Sequence, residues 1–151
     1  MQTVALTGSD TIKILDRVLN DFADGTVAQI TIPNELTAVK TGKNGNAIFA
    51  FNEMGKQAEL QLRLIRGSSD DKYLNALLNT MRNDFSSFVL LTCEFVKNIG
   101  DGEGGITPDT GILTGGVFQK QPEMQDNVEG DTEQAVAIYA LKFSGMVRSI
   151  G

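Results

Sequence analysis

The alternation of apolar and polar positions is cleanest over residues 57–66. Ala58, Leu60, Leu62 and Leu64 alternate there with Gln57, Glu59, Gln61 and Arg63, and Gly67 ends the run. A period of two predicts a strand with one buried face. The period then lengthens. Leu74, Leu77, Leu78, Met81 and Phe85 recur at i, i+3, i+4, i+7 and i+11, which predicts a helix over residues 68–85 with one core-packing stripe. Ser68 or Ser69 can cap it, and Asp70 and Asp71 suit the positive end of its dipole.

Five more strands are predicted. Residues 11–19 and 87–97 carry apolar side chains on both faces, the latter until Glu94. Residues 27–32 are rich in β-branched side chains and end at Pro33-Asn34. Residues 110–120 contain Gly115-Gly116, which predicts a bend or bulge. Residues 133–146 place Ala135, Ala137, Tyr139, Leu141 and Phe143 on one face, with Val136, Ile138 and Ala140 on the other.

Between these elements lie a loose arm over residues 1–10, a polar turn over 20–25, a glycine-rich loop over 98–109 and an acidic loop over 122–132. Residues 36–56 read as a projecting hairpin. Asn44-Gly45 is its turn, because a type I′ turn needs positive φ at both central positions. Its arms are 36–39 and 47–51, and Phe49 and Phe51 share a face. The expected class is α+β, mostly β: one domain over residues 1–151, a sandwich or flattened barrel of antiparallel strands with one helix against its side. One helix cannot cover two sheet faces, so some apolar strand surface is expected to meet another chain.

Composition narrows the chemistry. The 151 residues suffice to bury a core without disulfides or metal. No apolar run approaches the ~20 residues that span a membrane. The N-terminus lacks a basic start and an apolar stretch, so neither a signal peptide nor a membrane anchor is predicted. Histidine is absent and Cys93 is the only cysteine. Triads built on histidine and histidine-zinc sites are therefore excluded. The net charge of −6 argues against nucleic-acid and anionic-membrane binding. The G-x-G run at Gly100 to Gly105 is followed by no Lys-Ser/Thr, and Asp101 and Glu103 within it would repel phosphate. The acids from Asp126 to Glu133 lack the spacing of a calcium loop. No catalytic residue, cofactor or metal is predicted, and the chain is not read as an enzyme.

Several segments, in order, carry a resemblance. They are Asp21-Phe22-Ala23-Asp24-Gly25, Pro33-Asn34-Glu35-Leu36, Lys40-Thr41-Gly42-Lys43-Asn44-Gly45 and Gly55-Lys56-Gln57-Ala58-Glu59. Ile65-Arg66-Gly67-Ser68, Asp70-Asp71-Lys72 and the run from Asn127 to Ala135 follow. Together, across residues 11–143, they resemble tail tube proteins of long-tailed, chiefly contractile-tailed, bacteriophages. The resemblance implies two packed antiparallel sheets with a flanking helix. It implies a virion protein, made in the host bacterial cytoplasm, whose copies form hexameric rings that stack into a conduit for DNA ejection. Its partners would be further copies of itself and the tail sheath, baseplate and tail-terminator proteins, and DNA would pass without specific binding. Thr41, Lys43, Asn44, Phe49 and Phe51 would then touch the neighbouring ring. Asp16, Asp21, Asp24, Glu35 and Glu59 are candidates for an acidic lumen that repels phosphate. The arm and the 98–109 loop would help stacking, and the helix would lie on the outer wall. The alternatives are a tube subunit of a tailocin or secretion system, a soluble ligand-binding β-barrel, and a carboxylate-dependent hydrolase.

Overall fold

The strand with the clearest pattern, β7 (Ala58–Ile65), turns its predicted face inward, burying Ala58, Leu60, Leu62 and Leu64. Its antiparallel partner is the last strand, here numbered β10 (Val136–Ile150). Phe143, Leu141, Tyr139 and Ala137 lie directly opposite those four and are buried with them. Directly opposed side chains on one face are the unit of sheet stabilisation, and this double row forms the centre of the core. The computed structural model describes residues 2–151. The other elements are β1 (Ala5–Leu6), β2 (Thr11–Ile14), β3 (Arg17–Val18), β4 (Ala28–Thr31), β5 (Thr37–Thr41), β6 (Ala47–Phe51), α1 (Ser69–Asn83), β8 (Leu91–Gly100) and β9 (Ile106–Lys120). The protein is mostly β, with antiparallel sheets and one α-helix among the described residues.

The architecture departs from two packed sheets. Eight strands form a single sheet in the order β3-β2-β8-β9-β10-β7-β4, with β1 also on β8, and β5 and β6 form a separate ribbon. The large sheet curls over its own core. Although β10 and β7 separate β4 from β9, Ile30 Cδ1 lies 3.8 Å from where a Cβ on Gly111 would stand. Residues 17–23 bring the two edges together. Leu19 N–H donates to Ile12 O at 2.8 Å on the β2 side. Ile65 N–H donates to Asp21 O at 2.9 Å, and Ala23 N–H to Arg63 O at 3.0 Å, on the β7 side. The flattened-barrel form of the expectation therefore describes the molecule better than a sandwich.

Local departures have identifiable causes. The predicted strand over 11–19 is two short strands joined at Leu15-Asp16, with Lys13 opposite Val18. Leu15 takes φ +53, a conformation that favours glycine. Its N–H nonetheless extends the β8 pairing, donating to Thr92 O at 2.9 Å. The arm is not loose over its described residues. β1 pairs with the end of β8, and Asp10 meets Lys97 at 3.0 Å; Met1 lies outside the described residues. The 98–109 loop contracts to a turn over residues 101–105, because both flanks pair as β8 and β9. The Asp101 carboxylate accepts from Glu103 N–H at 2.7 Å and from Gly105 N–H at 3.0 Å. The predicted bulge is present: Leu91 faces Gly116 while Cys93 faces Leu113, leaving one extra residue on β9. A Cβ on Gly116 would run into the Phe143 ring.

α1 starts at its Ser68 cap, whose Oγ accepts from Asp71 N–H at 3.2 Å. Leu74 and Leu78 are buried, and Leu77 and Met81 are partly so. Phe85 falls beyond the helix end and is exposed, so it does not continue the stripe. The first-turn carboxylates bind tertiary partners. Asp71 accepts from the Tyr139 hydroxyl at 2.5 Å. Asp70, only 2% exposed, accepts from Asn20 N–H at 2.6 Å, Asp21 N–H at 2.8 Å and Arg17 Nε at 2.8 Å. Burial pushes the Asp70 carboxyl up, but the two backbone donors and the guanidinium outweigh that and hold it below the ordinary 3.8.

This arrangement predicts a pH-dependent contribution. A carboxyl with a lowered folded pKa contributes fully above its unfolded value, about pH 4, and loses the contribution as pH falls through the folded value. Asp70→Asn is expected to cost about 3 kcal/mol at pH 7, read from urea midpoints, with the gap to the parent narrowing below about pH 4. A variant as stable as the parent at pH 7 would remove Asp70 from its role in closing the sheet.

Candidate assembly surface

The ribbon of β5 and β6 stands apart from the large sheet. Thr37 faces Phe51, Val39 faces Phe49 and Thr41 faces Ala47. Every residue of both strands is exposed, Phe49 to 77% and Ile48 to 69%. An isolated two-stranded hairpin is marginal in water, and large apolar side chains gain nothing from standing in it.

Its tip and base are nevertheless well defined. Asn44 and Gly45 take φ +65 and +81, the positive values their sequence predicts. The loop spans three residues, 43–45, closed by Gly42 N–H donating to Asn46 O at 2.6 Å. At the base, Asn52 N–H donates to Leu36 O at 2.8 Å and Asn52 Nδ2 to Glu35 O at 3.0 Å. Gly55 lies so close to the Leu36 backbone that a Cβ would collide with it. Lys56 pairs with Glu53 at 2.9 Å and lies 5.4 Å from the Phe51 ring centre. The base thus aims the ribbon, while its stem touches little.

The five residues predicted to make contacts all lie on this element: Thr41 at the end of β5, Lys43 and Asn44 in the tip, and Phe49 and Phe51 along β6. The five acids that are candidates for facing a lumen lie on different elements. Asp16 is exposed in the β2–β3 turn. Asp21 is engaged with α1, its Oδ2 accepting from Asp70 N–H at 3.2 Å. Asp24 meets Arg63 at 3.2 Å, and Arg63 also meets Glu133 at 2.9 Å. Glu35 sits at the ribbon base. Glu59 lies on β7 opposite Lys142 and Thr31.

Two surface features escape the sequence pattern. β10 runs four residues past its predicted end, and beyond Phe143 it pairs only with β9; its other edge there has no strand partner among the described residues, although residues 53–56 lie close to β10. Val147 on that stretch is exposed and faces Ile112, also exposed. Serine, glycine and arginine interrupt the apolar pattern there, which hides the strand. The second feature is the anchoring of the predicted acidic loop by Arg66, which donates to Gln125 O at 2.9 Å and to Gln134 O, just past the loop, at 3.0 Å.

Reactive chemistry is sparse. Among the described residues no three acidic or thiol side chains converge, and no buried side-chain nitrogen or oxygen lacks a partner. Burial, with Glu94 adding to it, pushes the Cys93 thiol up to about 12, so it stays protonated. No helix among the described residues is long and apolar enough to cross a membrane.

Because Phe49 and Phe51 touch little within the chain, the double variant Phe49→Ser/Phe51→Ser is expected to change monomer stability by no more than about 0.5 kcal/mol in urea denaturation. A loss several times larger would show that the ribbon packs on its own body. No known protein family matches the chain, and neither does any curated protein sequence.

Proposed function

We propose that the chain is a structural subunit of a bacteriophage tail tube, whose copies form hexameric rings that stack into a conduit for DNA. The observation that carries this reading is the rigidly based ribbon that holds Val39, Ile48, Phe49 and Phe51 in solvent. Such a surface has a physical reason to exist when another chain covers it. The ordered resemblance across residues 11–143 supports the tube in particular.

In this reading each part has a task. The open edge of β10 offers unpaired backbone groups to a neighbour in the ring, which removes an exposed strand edge. The ribbon reaches the next ring. α1 stiffens the subunit from the outer wall, tied to the sheet through Tyr139 and Asp71. Sheath, baseplate and tail-terminator proteins are the partners of the finished tube. The net charge of −6 disfavours binding to the DNA that passes through, since no phosphate counterions are released.

The test is assembly. Size-exclusion chromatography with negative-stain microscopy is expected to show rings or tubes as concentration rises. Deleting residues 41–46 should leave rings that no longer stack. A monomer that persists at the highest attainable concentration overturns the reading, and normal tubes from the deletion variant remove the ribbon from it.

A further inference from the structure

The ribbon and the acidic loop leave the sheet at opposite ends of β7. The ribbon joins at Ala58 and at Thr31, which pairs with Glu59. The acidic loop leads into β10 at Val136, which pairs with Ile65, and it is held by Arg66. Eight residues of strand separate the two ends, roughly 26 Å at about 3.3 Å per residue. Each ribbon arm has five residues, a reach of roughly 17 Å.

Their charges are opposite. Lys40, Lys43 and Lys56 against Glu53 make residues 36–56 net positive in a chain of net charge −6. Lys40 and Lys43 have no acidic partner among the described residues. The loop carries Glu123, Asp126, Glu129 and Asp131 with no lysine or arginine among them. It also exposes apolar side chains, Met124 and Val128, the latter fully. Both surfaces therefore combine apolar side chains with unpaired charge of one sign, and the signs are complementary.

We infer that the ribbon of one copy docks on the acidic loop of a second copy through the face that carries Ile48 and its cross-strand neighbour Lys40, with Ile48 against Met124 and Val128 and with Lys40 and the tip residue Lys43 beside Asp126 and Glu129. This rests on the reading that the ribbon meets another copy, and it adds the surface that receives it. The contact joins unlike surfaces at opposite ends of the subunit. Such a head-to-tail contact does not close on itself in a pair and so propagates along a stack. Ribbon-to-ribbon pairing would instead oppose like charges of Lys40 and Lys43.

The experiment mixes two single-cysteine variants, Asn44→Cys and Val128→Cys, under assembling conditions with a short bismaleimide; buried Cys93 stays silent. A covalent dimer that needs both variants is expected, with none from either alone. An Asn44→Cys dimer formed alone overturns the inference in favour of ribbon pairing. Coupling of Asn44→Cys to Asn79→Cys on α1 instead of Val128→Cys overturns it as well. In a second arm, K40E/K43E should raise the assembly concentration about tenfold, the scale of two exposed ion pairs. Adding D126K/E129K to the same chain should restore it, and failure to restore overturns the pairing. Tubes that form without the 44–128 link sink this inference alone. Absence of any assembly sinks the proposed function with it.

Discussion

A sheet that curls over its own core has two edges to bring together, and here the join depends on one buried carboxylate. Residues 17–23 touch β2 at one end and β7 at the other. They contain a bend that leaves the N–H groups of Asn20 and Asn20's neighbour Asp21 pointing away from either strand. Asp70 accepts both and pairs with Arg17. Asp70 opens α1, so the helix is fixed by the same contact that closes the sheet. Asp71, one residue on, accepts from Tyr139 near the start of β10. The first turn of a single helix thus ties the closing segment to the central strand pair.

That closure explains what is rigid and what is left free. β7 and β10 are held by opposed rows of buried side chains and by the helix above them. The ribbon grows from the end of β7 farthest from the helix N-terminus and gets its direction from asparagine hydrogen bonds and a close glycine contact. Its apolar side chains then have no surface of their own chain to cover. The open stretch of β10 is another part of the sheet left without a partner. Unsatisfied strand edges and exposed aromatic side chains are liabilities in a monomer, and the proposed assembly would relieve both.

The acidic residues divide by what they meet. Asp70, Asp71 and Asp21 hold the fold together from within. Asp10, Asp24, Glu133 and Asp109 pair with lysine or arginine across the sheet. Glu123, Asp126 and Glu129 remain without such partners among the described residues. The net charge of the chain therefore does not describe a uniformly acidic surface; four acids without a lysine or arginine partner, these three and Asp131, share one anchored loop, while others, such as Asp16, Glu59 and Glu94, are spread over other elements.

The local pattern determined much by itself. The alternation of β7, the capped stripe of α1, the Gly115-Gly116 bulge and the positive φ at Asn44 and Gly45 follow from side-chain size, period and backbone freedom within a few residues. So does the exposure of Phe49 and Phe51 on a projecting hairpin. What the tertiary structure alone decided involves partners far apart in the chain. The fold-back at Leu15 carries no turn signature, because an ordinary leucine adopts a strained φ while its N–H extends the pairing to β8. The arm becomes β1 only because β8 offers an edge far downstream, where Ala5 meets Gly100 and Leu6 meets Ile99. Asp21, an acid like any other in the sequence, serves α1 because the curled sheet delivers it there. Curvature is a sum of twists and bulges over many strands, and no single segment records it. That is why one sheet bent over its core, rather than two packed sheets, could be read only from the assembled molecule.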